Sequence, residues 1–201
     1  MTRTLVHLVR HAEVENPDNI WYGRLDGWLL SERGIRQAQA LGDYFADRPI
    51  QSIYSSPLTR ALQTSAPIAE RHGLEIIEEP DLLESVAYLQ GRPGDKRLFK
   101  NPLNVRYFLN PLRPSWGEPY ASIRARMGRG VANIRDAHRG GEAVAVSHMT
   151  PVLIARLMFE NSKLPPWRAK LPCARASVTT LEFEDETYVS TKYEPVGSAI
   201  T

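Results

Sequence analysis

The chain has 201 residues, of which 24% are charged and 42% apolar; this balance excludes intrinsic disorder and gives room for one sizeable core. Its formal net charge of +2 is too small for the concentrated basic face that nucleic acid or an anionic membrane calls for, so neither partner is expected. The single Cys173 has no partner for an internal disulfide, Met1 is followed by Thr2-Arg3-Thr4 rather than an apolar leader, and no run approaches a membrane span; together these favour a reducing, cytoplasmic setting.

In chain order, Thr4 to Val9 is a short β-branched and apolar run that stops at Arg10, the pattern of a strand buried on both faces at the centre of a parallel sheet. Ser31 is placed to cap a helix with Ile35, Ala38, Leu41 or Gly42, and Phe45 on one face; Gln51 to Tyr54 then returns as a second strand. Ser56-Pro57 reads as a cap followed by proline at the first helical position, opening a helix that bends at Pro67 and ends at Gly73. Leu74 to Ile77 and Ala143 to Val146 are a third and a fourth strand, and Thr150-Pro151 opens another helix. Val178 to Phe183 and Thr187 to Tyr193, separated by Glu184-Asp185-Glu186, form a closing hairpin. The predicted fold is α/β: a three-layer αβα sandwich around a mainly parallel sheet, built as a single domain over residues 1–201.

The periodicity breaks over an insertion at about residues 88–120. Between Gln90 and Tyr120 five prolines (Pro93, Pro102, Pro111, Pro114 and Pro119) accompany six basic residues, against only Asp95 and Glu118 as acids. Two readings stay open: a cap or lid over a substrate, and a solvated connection containing short helices.

Chemistry-bearing residues recur just past strand ends, where open α/β sheets bind ligands. Arg10 and His11 follow the first strand, Arg60 falls in the first turn of its helix, Glu84 follows Leu83, and His148 precedes the helix opened by Thr150-Pro151. Two guanidinium groups, imidazoles and the N–H donors of helix ends suit the equatorial oxygens of a phosphoryl group. A lone Arg-His pair at a strand end is more often structural; the ordered set argues otherwise.

Leu8-Val9-Arg10-His11-Ala12-Glu13 resembles the arginine-histidine-glycine signature of the histidine phosphatase superfamily, which includes the cofactor-dependent phosphoglycerate mutases. Gly23 with Asp26, Leu29 to Ala38, Ser55 to Thr64, Leu83-Glu84, Gly117-Glu118 and Val146-Ser147-His148 are similar, in order, to that family's later motifs. The resemblance implies His11 as the nucleophile, Glu84 as the proton donor and acceptor, and Arg10, Arg60 and His148 as the phosphate clamp. No cofactor is implied, and no metal is needed where cationic side chains neutralise the developing charge.

The sequence departs from the family pattern in places. Ala12 stands where glycine is usual, and Met149-Thr150 follows the second histidine. The family often has asparagine six positions after the nucleophile; here that position is Pro17, and the preceding Asn16 becomes a candidate substrate contact beside Gly23. Glu13 is read as orienting its loop, His7 as a satisfied core residue, and His72 and His138 as residues suiting helix C-termini. Trp21, Tyr22 and Trp28 are left outside the site, and Arg24 is read either as a contact to a second acidic group or as simply solvated. His11-Ala12-Glu13 with Pro172-Cys173 lacks the second cysteine of the zinc deaminase pattern, since Ala176 occupies that position, and neither a Walker-type loop nor a Gly-x-Ser-x-Gly elbow occurs.

The expected activity is metal-independent hydrolysis of a small phosphorylated metabolite through a phosphohistidine, with phosphate ion as product. A phosphoglycerate mutase is the enzymatic alternative and a non-catalytic phospho-ligand-binding module the other. Hydrolysis is favoured because the chain is short beside typical mutases, the Glu84 to Gly91 segment is one residue tighter than their usual spacing, and Ala87 offers no counterpart to their tyrosine, although Tyr88 is a candidate substitute. Retention of both His11 and Glu84 argues against a purely binding role.

Overall fold

The apolar run that begins the chain becomes the middle of a six-stranded sheet. In the computed structural model, which describes residues 1–101, 103, 104, 117–162 and 171–200, the strands are β1 (Arg3–Arg10), β2 (Ile50–Ser55), β3 (Ile76–Glu78), β4 (Glu142–Ser147), β5 (Val178–Glu184) and β6 (Thr187–Glu194). Their spatial order is β3-β2-β4-β1-β5-β6. The first four run parallel, and β5 and β6 add an antiparallel hairpin at one edge.

Two-residue alternation along the central strands sorts side chains onto two faces. Val9 of β1 with Val144 and Val146 of β4 enter one core, completed by Leu41 and Phe45 of α1 (Glu32–Phe45) and Ile68 of α2 (Thr59–His72). Val6 and Leu8 with Ala143 and Ala145 enter the other, under α3 (Tyr120–Ala137) and α4 (Met149–Phe159). Both faces of the inner strands are covered, which is why their sequences are continuously apolar and why the fold has three layers.

Two local expectations are corrected. Ser31 does cap α1, its side chain accepting the N–H of Gly34, but Ile35 is 49% exposed. The buried stripe of that helix instead runs through Gly34, Gln37, Ala38, Leu41, Gly42 and Phe45, because Gly34 must lie against the backbone of Glu13. Helix α2 begins at Thr59 rather than Pro57; its cap position, Leu58, carries no side-chain acceptor, and Asp26 from a distant loop accepts both the Thr59 N–H (2.8 Å) and hydroxyl (2.7 Å). It runs through Pro67 and stops at Gly73, whose φ of 62° is left-handed.

Helix α3 was not anticipated at all. Its buried positions Ile123, Met127, Val131 and Ile134 have helical spacing, but Gly128, Gly130 and the arginines between them dilute the stripe, and it starts directly behind the proline-rich insertion. Within that insertion, Pro102 and residues 105–116 lie outside the described residues. Among the described residues no helix is long and apolar enough to cross a membrane.

Candidate active site

Three parallel strands end side by side. Arg10 of β1 pairs with Ser147 of β4, Ser55 of β2 pairs with Val146, and the N–H groups of His11 and Ser56 donate to the carbonyls of Ser147 and Val146, each at 2.9 Å. The chain leaving each strand therefore departs from one edge, and His11, Ser56 and His148 arrive together. The His11 and His148 rings lie 5.1 Å apart, edge to face.

The His11 imidazole is buried, and its Nδ1 lies 2.8 Å from the carbonyl oxygen of Ala12. A carbonyl only accepts, so Nδ1 carries the proton and Nε2 the lone pair. Burial, with the charges of Arg60 and Arg10, holds His11 well below the ordinary imidazole value, so the ring is neutral. The Ala12 N–H donates to Thr64 Oγ1 (3.0 Å), which donates to the Arg60 carbonyl (2.7 Å); α2 thereby braces the loop carrying the nucleophile candidate.

Arg60 has no solvent exposure. Its Nη2 donates to the Gly23 carbonyl (2.6 Å) and its Nη1 to that of Leu25 (3.2 Å), and its guanidinium lies over the Tyr22 ring at 4.8 Å. Gly23 has a φ of +48°, and an added Cβ would lie 2.9 Å from Gln90, so its loop is shaped to bring that carbonyl to Arg60. Arg10 donates through Nη1 to the Cys173 carbonyl at 2.6 Å. His148 meets Ser56 Oγ through Nε2 at 2.8 Å; with the hydroxyl donating, the ring proton sits on Nδ1. Burial, then the neighbouring His11 and Arg60, hold His148 well below the ordinary value too.

Among the described residues, the buried side-chain nitrogens left without a hydrogen-bond partner include Arg10 Nε, Arg60 Nε and His148 Nδ1. Each such atom costs roughly 1–3 kcal/mol when buried and unmade. Arg10 and Arg60 both bring their charge to bear on His11, and the His148 ring stands 5.1 Å from it; donors left open beside one imidazole suit an acceptor-rich anion.

Glu84 and His11 line one cavity of about 330 Å³, whose wall also includes Arg10, Asn16, Tyr22, Gly23 and Arg175. Burial pushes the Glu84 carboxyl up, against the Ser85 N–H on its Oε1 and the charges of Arg60, Arg10 and Arg126. The arrangement thus combines an unprotonated ring nitrogen, an acid inclined to hold its proton, and cations able to hold an anion.

Five of the seven sequence candidates, Arg10, His11, Asn16, Gly23 and Glu84, line this cavity; Arg60 and His148 are fully buried behind the wall, in contact with Gly23 and His11 respectively. Asn16 is occupied: its side chain donates to the Ile20 carbonyl (2.9 Å) and accepts the Ile20 N–H (2.8 Å), closing its own loop. Tyr22, left out on sequence grounds, lies 6.3 Å from His11 ring to ring, and Trp21 joins the wall. Arg175 was missed; Glu13, anchored to Ser31 and Arg33, holds it at 2.6 Å. Its only sequence signal is its place just ahead of β5, where the Ala176 N–H reaches the Arg10 carbonyl at 3.1 Å. Arg24, 31% exposed, is neither free in solvent nor in the cavity wall: it donates to the Glu84 carbonyl (2.6 Å) and to Glu118 (2.9 Å). Tyr88 is 54% exposed, whereas Ala87 lines the cavity. Among the described residues no three His, Cys, Asp or Glu side chains gather to hold a metal ion.

Comparison with known proteins agrees with the family resemblance. A family model described as the histidine phosphatase superfamily, branch 1, matches residues 6–194. The uncharacterized protein Rv0525 of Mycobacterium tuberculosis is 45% identical over 193 residues, covering 94% of this chain and 95% of the relative. Phosphoserine phosphatase 1 of Hydrogenobacter thermophilus is 33% identical over 193 residues, covering 92% and 89%. The solved structure of YhfR from Bacillus stearothermophilus superposes with a TM-score of 0.80 at 25% identity, covering 92% and 94%.

Proposed function

The chain belongs to the histidine phosphatase superfamily, and from that premise we propose that it hydrolyses a small phosphomonoester, without a metal ion, through a phosphohistidine formed at Nε2 of His11. The observation that carries this reading is the pairing of a tautomer fixed for attack with a ring of unsatisfied donors: His11 Nδ1 is tied to the Ala12 carbonyl while Arg10 Nε, Arg60 Nε and His148 Nδ1 have no protein partner.

In this mechanism the phosphoryl oxygens take those three donors, and Nε2 of His11 attacks phosphorus in line with the ester oxygen. The P–O bond breaks as Glu84 delivers its proton to the leaving alkoxide. The phosphoimidazolium keeps its Nδ1 proton on the Ala12 carbonyl, which stabilises the positive ring. Glu84, now a carboxylate, takes a proton from water as its oxygen attacks phosphorus. The P–N bond then breaks, phosphate leaves, and both His11 and Glu84 return to their starting forms.

Water is favoured over a retained phosphoglycerate as acceptor because Ala87, with no hydroxyl, lines the cavity where the mutase reading calls for tyrosine. The first part of the insertion acts as a substrate cap in this reading: Gly94 and Arg92 bond to Asn19 and Trp21 at the rim, at 2.7 and 2.8 Å.

A panel of phosphorylated metabolites assayed for free phosphate in the presence of chelator tests the proposal. Turnover should survive chelation and fall by about a thousandfold or more in His11→Asn. Turnover that persists in that variant, or formation of 2-phosphoglycerate from 3-phosphoglycerate far outrunning phosphate release, would overturn it.

A further inference from the structure

Glu118 stands where the insertion ends and α3 is about to begin, and the mechanism above gives it no part. Its buried carboxylate accepts Arg126 Nε (2.9 Å) and Ser122 Oγ (3.1 Å) on Oε1, and Arg24 Nη2 (2.9 Å) and Arg126 Nη2 (3.2 Å) on Oε2. Each arginine reaches onward to the stretch carrying the acid. Arg24 Nε donates to the Glu84 carbonyl and Arg126 Nη1 to the Asp81 carbonyl, both at 2.6 Å. Residues 81–84 are thus gripped at both ends by guanidinium groups sharing one carboxylate, while Ser147, beside His148, donates to the Leu82 carbonyl between them at 2.6 Å.

The backbone adds a second clasp. The Glu118 N–H donates to the Val86 carbonyl at 3.1 Å, and Gly117 bridges to Ala87. A Cβ on Gly117 would stand 2.0 Å from the Val86 oxygen, so only glycine permits this approach.

We propose that Glu118 is a positioning residue for Glu84: through Arg24 and Arg126 it sets where the Glu84 carboxyl stands and how much positive potential that carboxyl faces. Proton donation in the site is in this way tied to the seating of the insertion's far end. The inference rests on Glu84 acting as the acid in the reading above.

The charged groups facing Glu84 are Arg10 from β1, Arg60 from α2, Arg126 from α3 and Arg24 from the loop before α1. His11 and His148 are neutral, and the Cys173 thiol is pushed up to about 11 by burial. Glu118 is the anion that compensates Arg24 and Arg126. Removing its charge leaves both guanidinium groups uncompensated, which favours the Glu84 carboxylate and lowers the pH at which the acid loses its proton.

The test measures kcat/KM against pH for glycerol phosphate, whose alkoxide needs a proton, and 4-nitrophenyl phosphate, whose leaving group does not. In Glu118→Gln the alkyl ester should lose about tenfold or more while the nitrophenyl ester stays within about threefold. The alkaline limb for the alkyl ester should move down by about half a pH unit or more. Arg24→Lys keeps the charge but loses the fork, so it should show the same leaving-group dependence with the limb in place. Parallel loss on both esters with an unmoved limb overturns the proposal, as does a wild-type leaving-group pattern in Arg24→Lys should Glu118→Gln fail to fold. Glu84→Gln separates the premise: if it keeps the alkyl rate and the limb, the acid assignment fails rather than the positioning.

Discussion

At the scale of single residues, the free site is organised around groups kept neutral among cations. His11 and His148 are both held well below the ordinary 6.5, chiefly by burial, then by Arg60 and Arg10 at His11 and by His11 and Arg60 at His148. Nitrogen-resolved NMR at about pH 6 should therefore show His11 protonated at Nδ1 alone and His148 uncharged. Imidazolium signals for either ring at that pH would contradict the account. Ser56 is the anchor of the second ring, meeting His148 Nε2 at 2.8 Å. Ser56→Ala leaves that buried nitrogen without a partner and frees the ring to turn, and kcat/KM should fall about tenfold; an unchanged value would show that the hydroxyl does not orient His148.

At the scale of elements, placement of the site depends on helix starts that touch loops from elsewhere. Gly34, in the first turn of α1, lies so close to the loop after His11 that a Cβ would stand 2.0 Å from the Glu13 carbonyl oxygen. Gly34→Ala should destabilise the fold by about 2 kcal/mol, read from denaturant melts, and lower activity as well because that loop follows the nucleophile; stability and rate both equal to wild type would refute it. The inner strands were legible in the sequence because runs such as Thr4 to Val9 and Ala143 to Val146 are buried on both faces, whereas the edge strand β3 falls at Ile76–Glu78 rather than Leu74 to Ile77, its short, exposed run giving a weaker pattern. The start of α2 was not legible: its cap, Asp26, lies 33 positions from Thr59, and only folding brings them together. Helix α3 escaped because burial of Arg126 against Glu118 puts a charged residue on the inner face, where a pattern of apolar spacing expects none.

The same division holds for the site. Arg10, His11, Arg60, Glu84 and His148 could be picked out because each sits in a compact motif beside a strand or helix end. Arg24 and Glu118 stand out too, Glu118 within a family-like motif, but what they touch does not, and Arg126 gives no signal, because their contacts join the loop before α1, the end of the insertion and α3.

At the scale of the whole molecule, the buried neutral histidines make stability depend on pH. The His7 ring, between Thr180 (2.9 Å) and Glu142 (3.1 Å), is also held below 6.5, chiefly by burial. For His7, His11 and His148 the unfolded chain binds protons near 6.5 that the folded chain refuses, so their contributions are complete above that value and decline as pH falls through it. Glu142, held at about 2 chiefly by its hydrogen bond to His7, adds a further loss as pH falls from 4.5 towards 2. Glu84 acts oppositely: its raised value contributes stability at low pH that is lost as pH rises through it. Three histidines against one carboxyl predict a lower Tm at about pH 5 than at about pH 7.5. An unchanged or higher Tm on acidification would mean that these rings are not buried as neutral groups.

The central claim is that Nε2 of His11 carries the phosphoryl group during turnover, and acid-labile, base-stable phosphate on the protein is its most direct signature. A rapid quench under alkaline conditions after mixing with a phosphorus-labelled ester should trap label on His11, approaching about one per chain when dephosphorylation limits the rate, and none in His11→Ala. Unlabelled wild-type enzyme while a pre-steady-state burst of leaving group shows that dephosphorylation limits the rate, or equal labelling of both proteins, would contradict it.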